Sequence, residues 1–404
     1  MFGSQPASAR LLLAGVMLAS SLPVVAQQTT PPAGSAPADA ATEAPKLCSH
    51  GVCADGFASL SYNYNTNAPQ SRLNQLRVFD FNENEPQLDV AQLVIQRAID
   101  KPNQFGFRFN LMAGSGVPEI TAASGLFRDR HIGIAHHVDF PEFYVSYIAP
   151  VGKGLRIDAG KFATFMGLEA IGGYDGYNDE VSRGYIFGYG TPYTHTGLKA
   201  TYAFNSKLTA LFVVSNGWDD FQRINHGLTY GGQLAITPTK NTSFYLNVIS
   251  GPERYADDRD ERTVGEAVGT WRATPRLTLG FDALYGHEQN AVSIGHDAIW
   301  KALAGYAKYN LTPKFSMAFR GEIFADSAGT RTGTPQTLAG FTLTPEYDMA
   351  AKPSVVNEHL RRFDGHFVVR GEFRFDVSNK DVFQRQDAYR RQQFTTAVNL
   401  IYYF

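Results

Sequence analysis

From about Gly56 to its end the chain alternates apolar and polar side chains in runs of roughly ten residues. In HFVVRGEFRFD, Phe367, Val369, Gly371, Phe373 and Phe375 fall on one side, while Arg370, Glu372, Arg374 and Asp376 fall on the other with alternating sign. Successive side chains of a strand point to opposite faces, so this period of two predicts a strand; a helix would scatter the same residues around its circumference. KFSMAFRGEI divides likewise, with Phe315, Met317, Phe319 and Ile323 opposing Arg320 and Glu322. LRIDAG sets Leu155 and Ile157 against Arg156 and Asp158, and LTLGFDALY sets Leu277, Leu279, Phe281 and Tyr285 against Asp282.

We count sixteen such runs, the first near 56–65 and the last at 393–404, with fourteen or eighteen left open by the long segment at 345–365. Their connections are of two kinds. APVGKG, FNSK, TPTKN, TPR and LTPK are short and rich in Pro, Gly, Asn and basic residues, the chemistry of tight hairpin turns. The others are long, as in NTNAPQSRLNQLRVFDFNENEP and GSGVPEITAASGLFRDRHIGIAHHVDFP. Short turns at one end and long loops at the other predict an all-β fold, a closed antiparallel transmembrane barrel with periplasmic turns and extracellular loops. A strand of about ten residues matches a tilted membrane crossing. The apolar face then looks at lipid and the charged face at a lumen, whereas a soluble sandwich would turn its apolar face inward.

The two ends fit this picture. Residues 1–26, with Arg10 ahead of LLLAGVMLASSLPVVA, have the layout of a secretory signal peptide. Residues 27–55 read as a flexible periplasmic linker, rich in Pro, Ala and Thr, that ends in CSHGVC, where Cys48 and Cys53 are expected to close a small disulfide loop in an oxidising compartment. The barrel is assigned to 56–404. In its last strand, FTTAVNLIYYF, the even positions Val398, Leu400, Tyr402 and Phe404 form an apolar set. As a free edge that strand would invite aggregation, so it is expected to pair with the first strand and close the ring.

Composition changes the picture little. Without Arg10 there remain 35 Lys and Arg against 38 Asp and Glu, which gives no basic excess for nucleic acid. The 29 Phe, 20 Tyr and 38 Gly suit strands, turns and interfacial belts.

The runs YVSYIAPVGKGLRIDAGKFATFMGLEAI and DEVSRGYIFGYGTPYTHTGLKATYAFNSKLTALFVVSNGWDD resemble the β-barrel porin family of the OmpL-like type. The likeness extends from about residue 56 to the end, through GGQLAITPT, SGPE and VNLIYYF; it is strongest at 143–253 and loosest at 326–362. The resemblance implies a porin of the bacterial outer membrane and carries no catalytic residues. The terminal Phe404 after alternating apolar positions also resembles the signal read by the barrel-assembly machinery.

A sixteen-stranded ring is wide enough for a water-filled channel, through which small hydrophilic solutes or ions would diffuse passively. Charged rings would set selectivity. The pore-lining candidates are Arg156, Asp158, Asp282, Arg320, Glu322, Arg370, Glu372, Arg374 and Asp376. The loop between the fifth and sixth strands, with Asp175, Asp179, Glu180 and Arg183, could fold inward and narrow the passage. The expected partners are outer-membrane lipid, the assembly machinery and solutes, with a homotrimer suggested by analogy; no cofactor, metal or enzymatic activity is expected.

Three alternatives stand beside the channel. One is a structural or adhesive barrel closed by its loops. Another is an outer-membrane hydrolase using His195, although G-x-S-x-G and H-E-x-x-H are absent from the sequence. The third is a transition-metal site at His131, His136, His137 and Asp139.

Overall fold

The structure, a computed structural model, describes residues 47–128, 134–171, 178–350 and 366–403. Sixteen antiparallel strands form the barrel. They are β1 (Val52–Asn65), β2 (Pro86–Arg97), β3 (Phe105–Ala113), β4 (Val138–Ala149), β5 (Leu155–Ala163), β6 (Thr194–Asn205), β7 (Leu208–Ser215) and β8 (Thr229–Thr239). The second half comprises β9 (Thr242–Arg254), β10 (Asp257–Arg272), β11 (Leu277–Ser293), β12 (His296–Asn310), β13 (Phe315–Asp326), β14 (Gln336–Ala350), β15 (His366–Ser378) and β16 (Gln392–Tyr403). Each pairs with its sequence neighbours, and β16 pairs with β1 through Val398 opposite Tyr62 and Leu400 opposite Leu60. The ring is closed, and the aromatic last strand has no free edge. The expected signal peptide, the connection 351–365 and Phe404 lie outside the described residues.

The alternation reads directly as two faces. Phe319, Ile323, Phe373 and Val398 are exposed on the outside, while Arg320, Glu322, Arg374 and Asp376 are buried inside. A row of large exposed apolar residues from every part of the ring, among them Leu60, Phe105, Phe143, Phe212, Leu246, Trp271 and Phe341, gives the outer surface the character of a lipid-facing band.

Two expectations need correction. The first strand starts at Val52, and Leu47–Ser49 pairs back onto it with Cys48 opposite Cys53, so the end of the expected linker is strand. The Cys48–Cys53 disulfide is formed, with Cα atoms 4.1 Å apart. Secondly, long loops do not crown the whole far end. β9–β10 and β11–β12 are joined there by two-residue turns, Tyr255–Ala256 and Ile294–Gly295, because the strands run on past their expected limits of 264–273 and 276–286. The extension DDRDERT is polar on both faces and HEQNAVS is so except at Ala291 and Val292, so they pair above the apolar band, where water rather than lipid meets them. Gly295 turns with φ +79°, a conformation open to Gly without Cβ strain.

The lumen is not empty. Wall side chains cannot fill a ring of this width, and loop residues occupy one side of it. Phe165, Met166, Tyr185, Ile186 and Tyr189 from the 164–193 connection pack with Trp218 and Phe383 against the inward-facing Val213, Ile249, Leu284, Trp300 and Phe324. The Trp300 ring lies across its cross-strand partner Gly286, where a Cβ would come within 1.9 Å of it. Glycine there lets the indole lie flat on the wall, and its N–H reaches Gly190 O at 3.4 Å. A second apolar cluster joins Val117 and Ile120 of helix α1 (Val117–Ser124) to Met112, Val78, Phe187 and Tyr193.

Candidate pore and its inner loop

The inward-facing charges of the wall are where alternation puts them, but most are covered. The described residues of the connection between β5 and β6, 164–171 and 178–193, lie along the inner wall from β8 to β15, and several of their main-chain groups meet wall side chains. Gly167 N–H donates to Glu266 on β10 (2.8 Å) and Leu168 N–H to Asp282 on β11 (3.2 Å). Glu169 accepts from Arg320 on β13 (2.7 Å) and from Gly184 N–H (2.8 Å). Val181 and Ser182 N–H donate to Glu372 on β15 (2.7 and 3.1 Å), and Tyr185 N–H to Glu322 on β13 (2.5 Å).

The arginines serve the loop's carbonyls. Arg320 donates to Ser182 O (2.9 Å), Arg374 to Arg183 O (2.5 Å) and Arg370 to Asn178 O (2.7 Å). Asp376 accepts from Tyr185 Oη (2.7 Å) and from Arg374 (2.8 Å), and it also takes Arg77 of the β1–β2 loop (2.7 Å). Irregular backbone inside a barrel must find partners for its N–H and C=O groups. Here the acidic and basic side chains of the wall are those partners, and hydrogen bonds to charged groups are the strong ones.

Asp282, Arg320, Glu322, Arg370, Glu372, Arg374 and Asp376 therefore face the lumen, yet each is buried against loop backbone or neighbouring charges. Arg156 and Asp158, on β5, form a separate group: Arg156 meets Asp158 at 2.9 Å, and Lys199 of β6 meets it at 3.3 Å. Of the loop candidates, Asp175 lies outside the described residues. Asp179 pairs with Lys308 of β12 (2.6 Å). Burial pushes the Glu180 carboxyl up to about 8, with Arg320 opposing the shift. Arg183 points along the loop, its guanidinium 5.8 Å from the Phe79 ring and 5.5 Å from that of Phe187. Burial lowers it to about 10, opposed chiefly by Glu169.

Val398, Leu400 and Tyr402 are on the outer side of β16, alternating with the buried Ala397, Asn399, Ile401 and Tyr403. The histidine group does not gather among the described residues. Asp139 turns inward to Lys161 (3.0 Å) and Ser124, while His136 and His137 are exposed and His131 lies outside the described residues.

Sequence reading missed Glu169, Glu266 and Arg77. Glu266 follows the β10 alternation and was legible on that ground. Glu169 and Arg77 sit in aperiodic loop segments whose sequence carries no mark of where they dock.

The fold and its loop-narrowed lumen define an outer-membrane barrel of the porin class. Residues 51–404 match the family described as "Putative beta-barrel porin-2, OmpL-like", and the chain belongs to that family. It is an outer-membrane channel for passive diffusion. None of the curated proteins compared with it matches. Similar solved structures are OmpF of Salmonella typhi (13% identity, 89% of this chain and 100% of that one, TM-score 0.55), the channel DcaP of Acinetobacter baumannii (10%, 87% and 97%, 0.55) and OmpT of Vibrio cholerae (10%, 89% and 100%, 0.53). At such identities the likeness is one of fold.

Proposed function

We propose that solutes cross the barrel beside the inner loop, in the part of the lumen bordered by β15, β16 and β1–β5, and that most wall charges act by fixing the loop. The observation that carries this is the seating of Val181, Ser182 and Tyr185 N–H on Glu372 and Glu322, which commits those carboxylates to the loop rather than to passing ions. Arg156, Asp158, Arg183 and Arg370 border the remaining passage as candidate selectivity residues. Asp179 ties the loop to Lys308 of β12.

In planar bilayers the purified protein should give stepwise conductance. A barrel that inserts and never conducts would favour the structural or adhesive alternative. We further propose that the protein performs no covalent chemistry. His195, which a hydrolase would need, is buried with Nε2 3.1 Å from Thr164 Oγ1 and Nδ1 3.4 Å from Gly217 O, and it makes no hydrogen bond to a carboxylate among the described residues. Phospholipid hydrolysis lost in His195→Ala would overturn this.

Residues 1–26 are proposed to be removed on export, and the terminal Val398, Leu400, Tyr402 and Phe404 to be read by the assembly machinery. Deleting Phe404 should sharply reduce insertion. OmpT of Vibrio cholerae has a trimer form, which makes a homotrimer the assembly to test by size in detergent.

A further inference from the structure

Within the lumen, between the inner loop, helix α1 and the wall from β15 to β3, lies a partly open cavity. Its surface is divided. Val90, Met112, Ile120 and Ile401 give it an apolar side, and Arg183 and Arg370 bring positive charge to the other. The charges bordering it are not equivalent. Asp80 is paired with Arg77. Asp89 accepts from Ser61 (2.5 Å), Ser59 (2.9 Å) and Asn399 (3.3 Å), and the same Asn399 accepts from Arg370 (2.8 Å), so Asn399 bridges that carboxylate and that guanidinium.

Arg183 differs from all of these. Its Nε and Nη1 donate to two main-chain carbonyls, Ala170 O and Val181 O, each at 3.1 Å, and no carboxylate lies within ion-pair distance of it among the described residues. Nη2 has no acceptor among the described residues. The guanidinium plane is held beside Phe79 and Phe187, so it is oriented before any ligand arrives. Glu169 and Asp80 favour its charge from a distance without pairing with it, so a carboxylate in the cavity would be its first direct counter-ion among the described residues.

We propose that this cavity is a solute-binding subsite for amphipathic monocarboxylates, small acids with an aliphatic or aryl body, held by Arg183 at the carboxylate and by the Val90, Met112, Ile120 and Ile401 surface at the body. The proposal rests on the channel reading only for its meaning in transport, since binding itself needs no conduction. Pockets with one placed charge and apolar walls suit such ligands. Asp89 disfavours a second negative charge, so dicarboxylates are poorer ligands than monocarboxylates.

The test is calorimetric titration of the detergent-solubilised full chain with 3-phenylpropionate, acetate, phenethylamine and phenylalanine, alongside swelling of liposomes that contain the protein. Phenylpropionate should bind at least tenfold more tightly than acetate or phenethylamine. Arg183→Gln should lower its affinity by about tenfold or more, and Arg183→Lys should restore part of it. Val90→Thr keeps the shape and should weaken phenylpropionate while leaving acetate unchanged, which tests the site even where an Arg183 variant folds poorly. Equal binding of acetate, or unchanged affinity in both Arg183→Gln and Val90→Thr, overturns the proposal, as does tighter binding of phenylalanine or phenethylamine. Liposomes that swell in salt while phenylpropionate fails to bind remove the subsite and keep the channel; binding without swelling does the reverse.

Discussion

The Val181 main-chain N–H donates to Glu372 Oε2 across 2.7 Å, a bond between a loop and a wall strand 191 residues later in the chain. Glu372 takes Ser182 N–H as well, and Thr344 Oγ1 at 3.1 Å, so a single carboxylate closes three donors. Loop position and wall charge are thus one structure.

Replacing Glu372 and Glu322 together by Gln should free this part of the loop. An amide presents an N–H₂ where a main-chain N–H now points, and each lost charged hydrogen bond costs about 1.5–3 kcal/mol. We expect larger and noisier single-channel conductance, with little change in reversal potential because both groups are shielded from passing ions. A clean shift of ion preference at unchanged conductance would place the two carboxylates in the passage itself.

Arg320 is fully buried and bonds Glu169, Ser182 O and Thr342. Arg320→Met strands Glu169 and should destabilise the folded barrel by about 3–5 kcal/mol. Arg391→Met, at an exposed pair with Asp381 3.7 Å away, should cost less than about 0.5 kcal/mol. Heat-modifiable gel migration of the two variants compares them directly.

Asp220, in the connection between β7 and β8, is pushed up to about 8 by burial first and by Glu253 and Asp219 next, with Arg262 opposing. An acid whose folded value lies above its unfolded one holds its proton longer in the folded state. Stability should therefore fall as pH rises from the unfolded carboxylate range toward 8, and level off above it. Asp220→Asn should flatten that slope in thermal melts taken across the pH range.

Val398 on β16 is 60% exposed and faces outward between Tyr62 and Gly371. Val398→Arg should destabilise the inserted barrel by about 2–4 kcal/mol if the site lies near mid-membrane, and less toward either interface. Folding titrations into lipid vesicles measure this. Lys at the neighbouring inward position would report on the lumen instead.

The strands were legible because lipid on one side and water or polar groups on the other write a period of two into nearly every run. Arg370, Glu372, Arg374 and Asp376 could be placed on the inner face from HFVVRGEFRFD alone. What they touch could not. Their partners are main-chain groups of the loop, which any residue supplies, so Val181 and Ser182 leave no trace of their docking. The overshoot of β9 to β12 was missed for a related reason: in DDRDERT both faces are polar, and an alternation signal vanishes where neither side meets lipid. The inward loop did carry one sign, the apolar density of FATFMG and YIFGYG in a connection that an outside loop would have filled with polar residues.

The seat of the inner loop draws on β8, β10, β11, β13 and β15, strands made long after the loop itself. The early strands alone cannot hold it, and contacts so distant along the chain carry a large loop-closure cost. A sheet closed before its loop is seated would be a wide, unguarded hole.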